Sequence, residues 1–550
     1  MSTKTHNIIR HSNLYVTGIT LVATLGGLLF GYDTAVISGT TSALRSFFVK
    51  PMYSNAALAG NVIVQYKVIV TICLAIIVFL ISSFMFKLFG QKKGLIYSVI
   101  VLILAWFIWY FRFWTEPNTL TEGMANAIDG FTISSALVGC IIGGSIAGYV
   151  SQTTGRRNGM LLAAILFTIS AVGSAIPDTI NFLHVAVVSS FIFYRVIGGI
   201  GVGLASMITP MYIAEISPSE IRGKLVSWNQ FAIILGMLLV YFVNYFIAMH
   251  GSDNWLNSIG WRWMFASETI PAGLFLFLLF FVPESPRYLV MAGRNDEARN
   301  VLLKLVGQDR SDSVLSDIKT SLFNKSSVPW LSFGGLVIIV GILLSVFQQF
   351  VGINVVLYYA PEIFRNMGAG MNVSLMQTII VGAVNLSFTI VAIYTVDNFG
   401  RKPLMIIGSL GMAVSMILLG FMFFAKSVGI MALIFMLIYT ASFAVSWGPV
   451  TWVMLSEIFP NSIRGAMSIA VAAQWVANLI VSWTFPMMNN STALNNIFNH
   501  GFTYWIYGIM GLLSALFMWK MVPETKGRSL EEMEMLWQPR NVALVEEELS

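Results

Sequence analysis

Charge is scarce in this sequence. Asp, Glu, Lys and Arg make up 10% of its 550 residues, whereas an ordinary soluble domain carries about 25%. That excludes a soluble enzyme of this length. Cysteine is scarcer still. Cys73 and Cys140 are the two in the chain and both lie in apolar runs, which rules out a disulfide framework and a cysteine metal cluster. The five histidines, at 6, 11, 184, 250 and 500, are too scattered to assemble a metal site. A Walker-type phosphate loop is missing, so ATP drive from this chain is excluded. Paired catalytic carboxylates and Ser–His arrangements are also missing from the apolar runs, which argues against a membrane hydrolase. No cofactor is expected.

Apolar residues are what the sequence has in abundance, at 57% with a mean hydropathy of +0.79. Fourteen runs of near-bilayer length fall between residues 14 and 522, and each is read as a membrane-spanning helix. An even count places both termini on one side. Arg156, Arg157, Arg222, Lys224, Arg401, Lys402, Arg464, Lys526 and Arg528 fall on that side, whereas loops 249–261, 366–372 and 487–501 carry no Lys or Arg. The positive-inside rule then makes the termini cytoplasmic. The net charge of +6 is read as topology, with no nucleic-acid partner. The expected fold class is an all-α polytopic membrane protein.

Residues 283–330 interrupt the pattern with interleaved charges and apolar residues at helical spacing, the mark of short amphipathic helices on the cytoplasmic face. They separate two halves that repeat each other. Gly155-Arg156-Arg157 recurs as Gly400-Arg401-Lys402, Glu215 and Arg222 as Glu457 and Arg464, and Pro283-Glu284-Ser285 as Pro523-Glu524-Thr525. Duplicated helical halves point to a transporter with its site between them near the midplane.

Two charges stand inside apolar runs. Asp33 lies about 15 Å below the outer end of the first run, and Arg195 about 16 Å into its own, at 1.5 Å per residue. A lone charge at such depth costs several kcal/mol, so the two are expected to pair, as a static ion pair or as a device that a proton can break. Glu268, near the start of its span, is either a helper in proton handling or a residue snorkelling to the surface. The spans also carry an unusual supply of neutral amides and aromatics. These are Gln230, Gln348, Gln349, Asn354, Asn385 and Gln474, with Phe30, Tyr358, Trp447 and Trp475. Amides offer hydrogen-bond donors and acceptors together, and the rings offer flat apolar faces. Each amide alone is equally consistent with bonding between helices. Gly352 with Pro361, and Gly448-Pro449, would let two of these helices break.

Several motifs carry a family resemblance. "IGGIGVGLASMITPMYIAEISPSEIR" (197–222), "PESPR" (283–287), "QQFVGINVVLYYAPEIF" (348–364), "FGRKP" (399–403), "SEIFPNSIRG" (456–465) and "PETKG" (523–527) together resemble the sugar porter family of the major facilitator superfamily. "ITLVATLGGLLFGYDTAVISGT" and "SIAVAAQWVANLIVSWTFPMM" look like its proton-coupled D-xylose carriers. The resemblance implies a major facilitator fold of two six-helix halves. It implies a proton-coupled monosaccharide symporter working by alternating access, with D-xylose the favoured substrate. L-arabinose, D-galactose, D-glucose and passive facilitation stay open. It assigns proton coupling to Asp33, Arg195 and Glu268, and sugar binding to the ten amide and aromatic residues above. A cytoplasmic gating network is expected from Arg156, Arg157, Glu215, Arg222, Glu284, Arg287, Asp397, Arg401, Glu457 and Arg464, bridging helices to lock an outward-open state. Met237, two turns after Gln230, stands where the resembled carriers have an amide, which loosens the inference on substrate.

The family has twelve spans, so residues 55–125 read as an inserted transmembrane hairpin whose turn, with Lys87, Lys92 and Lys93, is basic. The expected organisation is 1–54 with 126–282 as the first half, 55–125 as the hairpin, and 283–330 as the cytoplasmic segment. Residues 331–525 form the second half and 526–550 a cytoplasmic tail. The expected setting is the bacterial inner membrane, as a monomer, with the hairpin available for contact with a helper protein.

Overall fold

The structure is a computed structural model that describes residues 3–527 apart from 182–183, 219–220 and 324–328, together with 532 and 537. Among the described residues there are helices, turns and loops and no strand. The first half contains α1 (Thr3–Val36), α3 (Glu122–Thr153), α4 (Arg156–Ala175), α5 (Val187–Ile216), α6 (Arg222–Ala248), and an interrupted pair, α7 (Trp261–Ser267) and α8 (Thr269–Leu279). The helix α2 (Ala56–Trp109) is inserted after α1. Three short helices follow: α9 (Pro286–Met291), α10 (Asn295–Val306) and α11 (Gln308–Phe323). The second half contains α12 (Leu336–Phe350), α13 (Ile353–Asn366), α14 (Met371–Phe399), α15 (Arg401–Phe424), α16 (Ile430–Val445), α17 (Trp447–Ile458), α18 (Met467–Asn489) and α19 (Gly501–Met521).

Among the described residues, twelve helical segments are long and apolar enough to cross a membrane. One of them, α2, has 54 residues, or about 80 Å, against a hydrocarbon core of roughly 30 Å. It doubles back at Gly90, whose φ of 72° and ψ of −178° suit a residue without Cβ. The two arms are cross-linked: Trp109 Nε1 donates to Thr71 Oγ1 at 2.7 Å, and Lys67 Nζ donates to the carbonyl of Glu116 at 2.6 Å and to Asn118 Oδ1 at 2.9 Å. Counting these arms separately and adding the interrupted α7–α8 segment brings the apolar segments to fourteen.

Lipid tails are as apolar as leucine, so helices in a bilayer associate through close packing rather than hydrophobic exclusion. Small residues make that approach possible here. A Cβ on Gly31 of α1 would strike the Ile233 carbonyl of α6, and one on Gly236 of α6 would strike the Leu28 carbonyl of α1. The same reciprocity joins α3 to α5, through Gly139 and Gly143 on one side and Gly199 and Gly203 on the other. The halves meet where α3 packs on α18 and α6 on α14. The hairpin is peripheral: the most apolar window of α2 is 11% buried, against 61% for α3.

Candidate functional site

The inner end of the bundle is taken as the one carrying the Gly155-Arg156-Arg157 and Gly400-Arg401-Lys402 turns. Within the bundle, α1 and α5 bring Asp33 and Arg195 together. Arg195 Nη1 donates to Asp33 Oδ1 at 2.5 Å and Nη2 donates to the Asp33 carbonyl at 3.1 Å. Asp33 is 0% exposed and Arg195 1%, and the guanidinium lies 5.4 Å from the Phe265 ring centroid. Asp33 Oδ2 and Arg195 Nε have no protein partner, so the pair retains bonding capacity.

Glu268 stands at the break between α7 and α8. The cause is three residues on: Pro271 has no N–H for the Ser267 carbonyl, and its ring crowds that carbonyl. The break turns Glu268 into the helical bundle, where it is 0% exposed and interacts electrostatically with Asp33 and Arg195. Snorkelling is thereby excluded. Next to the break, the Tyr32 hydroxyl and Ser267 Oγ are hydrogen-bonded at 2.8 Å.

The amides gather in the second half. Gln474 Nε2 donates to Gln348 Oε1 at 2.5 Å, Gln349 Nε2 to the same oxygen at 3.3 Å, and Asn354 Nδ2 to Gln349 Oε1 at 2.5 Å. Gln348 Nε2 donates to the Trp447 carbonyl at 3.0 Å. Two helix breaks create this arrangement. Gly352, with φ of 92°, separates α12 from α13, and the freed Val351 carbonyl accepts from Tyr439 OH at 2.8 Å. Ser446 separates α16 from α17, and Pro449 cannot donate to the Val445 carbonyl. Each amide thus bonds a neighbour in geometry that a sugar hydroxyl, both donor and acceptor, can take over.

Trp475 packs on Phe30 with ring centroids 5.8 Å apart, so a face contributed by α18 meets one contributed by α1. Trp447 is different from the expected platform. It is 0% exposed, its Nε1 is held by Ser409 Oγ at 2.7 Å, and it reaches the amides through its carbonyl. Gln230 is half-buried and Asn385 buried, and neither joins the amide chain. Tyr358 of α13 is buried and lies within the electrostatic reach of Asp33 and Arg195. It lies one turn after Asn354 on α13 and is hydrogen-bonded to Asn478.

At the inner end, the duplicated motifs form duplicated structures. Arg156 donates to both Glu215 oxygens, at 2.9 and 3.0 Å, and Ser285 Oγ donates to Glu215 as well. Glu284 accepts from the backbone N–H groups of Arg156 and Arg157 at 2.9 and 3.1 Å, capping the first turn of α4. In the second half Arg401 donates to Glu457 at 3.1 Å, and Glu524 accepts from the N–H groups of Arg401 and Lys402, both at 3.1 Å. These pairs join helices within each half. Arg222 is exposed, with Nη2 on the Ser217 carbonyl at 3.4 Å, and it lines a cavity of about 630 Å³ with Glu215, Arg287 and Asp317. The side chains of Asp397 and Arg464 lie outside the described ones.

The outer end holds residues that the sequence reading did not single out. Arg45 donates to Asp129 Oδ2 at 2.9 Å and to Asn126 Oδ1 at 2.8 Å. Asn126 Nδ2 donates across the halves to the Asn490 carbonyl at 3.3 Å. Asp129 sits at the edge of an apolar run, where an acid raises no alarm, and its burial follows from α18 closing over it. Other bonds join the halves nearby: Trp483 Nε1 to the Ala127 carbonyl at 2.9 Å, Thr492 Oγ1 to Glu122 Oε1 at 2.7 Å, and Arg365 to Ser42.

With this geometry in hand, comparison with known proteins is specific. The family described as "Sugar (and other) transporter" matches residues 19–122 and 108–537. The chain is 51% identical over 543 residues to the D-xylose-proton symporter of Escherichia coli strain K12, covering 96% of this chain and 97% of that protein. It is 38% identical over 526 residues to a glucose facilitated diffusion protein of Zymomonas mobilis, covering 95% of this chain and 97% of that protein. The inward open structure of the E. coli xylose transporter superposes with a TM-score of 0.76 at 51% identity, covering 95% of this chain and 100% of that one.

Proposed function

Because the chain belongs to the sugar transporter family of the major facilitator fold, we propose that it imports D-xylose together with a proton by alternating access. The observation that carries this reading is the buried Asp33–Arg195 pair in a bundle that also holds a hydrogen-bonded cluster of buried amides. Protonation of Asp33 removes the charge that holds Arg195 and the Asp33 carbonyl together, freeing α1 to move against α5. Glu268 is the second carboxylate through which the proton passes. Gln230, Gln348, Gln349, Asn354, Asn385 and Gln474 bind the hydroxyls, with Phe30, Trp475 and Tyr358 against the ring and Trp447 anchoring Gln348. The chain performs no catalysis.

The proposed organisation divides 1–54 with 126–282 from 331–525, with 55–125 as an inserted hairpin and 283–330 on the cytoplasmic side. Both termini face the cytoplasm on the argument of positive charge, and the setting is a bacterial inner membrane. Arg156, Arg157, Glu215, Glu284, Arg401 and Glu457 brace the inner ends of the halves, and Arg222 and Arg287 work beside them. The carrier acts as a monomer, with the exposed arm of the hairpin open to lipid or a helper protein.

The test is direct. Addition of D-xylose to energy-depleted vesicles containing the protein should alkalinise a weakly buffered medium. Robust uptake with no change in pH would favour the second reading, a passive sugar facilitator. Met237 supports a broader substrate range, since a half-buried thioether stands two turns from Gln230 on the same face. Competition by L-arabinose and D-glucose against labelled D-xylose measures that range.

A further inference from the structure

We propose that Asp129, Arg45 and Asn126 form a proton-responsive latch on the outer gate, distinct from the Asp33–Arg195 pair, so that an external proton on Asp129 releases the halves toward the outward-facing state. The inference rests on the alternating-access reading above. It starts from a chain of three bonds. Asp129, buried on α3, accepts from Arg45 Nη1 at 2.9 Å. The other nitrogen of that guanidinium donates to Asn126 Oδ1 at 2.8 Å. By holding the oxygen, Arg45 fixes the orientation of the Asn126 amide, so that its NH₂ group faces the seam, where it meets the Asn490 carbonyl of the other half at 3.3 Å. Arg45 has a rigid planar fork, so its orientation passes from one end of the chain to the other. The carboxylate on one side of Arg45 thereby determines the bond between halves on the other.

The surroundings make Asp129 a sensitive end for such a chain. Glu362 of α13 belongs to the other half, yet interacts electrostatically with both Asp129 and Arg45. Arg45 is thus attracted by acids of both halves, and like charges near one cation compete for it. Asn489 Nδ2 donates to Glu362 Oε1 at 3.4 Å, and the His500 ring is bonded to the Asn489 carbonyl at 2.9 Å. The remaining titratable or charged groups facing the cluster are Glu122, Arg365, Tyr359 and Tyr504. Around this cluster the seam is close-packed: a Cβ on Gly130 would strike the Trp483 carbonyl, and Tyr66 of the hairpin packs on both Phe131 and Trp483. Opening outward must break the contacts that cross the seam, and the Arg45 chain is the part that a proton can weaken.

The test reads gate opening rather than sugar. Ala127→Cys places a buried thiol on the residue whose carbonyl accepts from Trp483 across the seam, and a membrane-impermeant maleimide applied from outside labels it when the seam parts. The chain without that cysteine is the blank. Labelling should rise roughly tenfold, the scale of one charge-assisted hydrogen bond, as the external medium goes from alkaline to mildly acidic. Asp129→Asn should label fast at every pH, Asp129→Glu should restore the pH dependence, and Asn126→Ala, which keeps the Asp129–Arg45 pair, should also label fast. Labelling that ignores pH in the parent, that stays slow in Asp129→Asn, or that stays slow in Asn126→Ala overturns the latch. Because no sugar is present, a failure here is separable from a failure of the xylose reading, which the alkalinisation assay decides alone.

Discussion

Arg195 holds Asp33 twice, once through the carboxylate at 2.5 Å and once through the backbone carbonyl at 3.1 Å. One guanidinium on α5 therefore grips both a titratable group and the main chain of α1. A proton that changes the first bond also alters how firmly the second is held. Coupling chemistry to helix movement needs such a shared contact, and a purely structural ion pair does not.

Stability tests the pair first. Arg195→Ala leaves Asp33 and Glu268 buried with no cation beside them, and should cost about 3–5 kcal/mol. Adding Asp33→Asn to the same chain should recover much of that loss. Thermal unfolding in detergent reads both, and equal destabilisation in the single and double variants would contradict the account.

Gln348 is the hub of the amide chain, since it accepts from Gln474 and Gln349 and donates to the Trp447 carbonyl. Gln348→Ala should weaken sugar binding by roughly ten- to a hundredfold, or about 1–3 kcal/mol. Asn385→Ala, outside that chain, should cost less. Equilibrium binding of labelled D-xylose ranks the two.

Gly155 has φ of 101°, and a Cβ there would strike the Glu284 carboxylate that caps α4. Gly155→Ala should destabilise by about 1–3 kcal/mol. Gly60 in the first arm of the hairpin has open space around it, and Gly60→Ala should stabilise by up to about 1 kcal/mol. A fluorescence-based melting series on the two variants should show shifts of opposite sign.

In the loop between α4 and α5, the Asp178 carboxyl is held below the usual carboxylate range by the Arg262 guanidinium of α7. The depressed value means that the pair stabilises above the unfolded value, near about 3.9, and that this is lost as pH falls through the lower folded value. With Asp178 45% exposed, the contribution should stay under about 1 kcal/mol. Asp178→Asn should lower the melting temperature slightly at neutral pH, and the gap should close in acid. A gap that widens in acid would refute the assignment.

How much of this was legible in the sequence depended on whether the signal was local. The spans, the hairpin turn and the repeated motifs are read from runs and offsets within one stretch of chain. The amides stood out because neutral polar groups are rare inside spans. Trp447 looked like a platform because nothing local reveals that Ser409 holds its indole nitrogen. The inner charges read as bridges between helices, but nothing local reveals that Glu284 and Glu524 cap the N-termini of earlier helices in their own halves, since backbone N–H groups rather than side-chain charges receive them. Arg45 and Asp129 lie 84 residues apart on either side of the hairpin, so only the closed seam reveals them as partners.

The central claim is that Asp33 carries the coupling proton. In proteoliposomes with an imposed inward proton gradient, the parent protein should accumulate D-xylose above the external concentration, and Asp33→Asn should equilibrate it without accumulation while still exchanging sugar. Full uphill accumulation by Asp33→Asn would contradict the account.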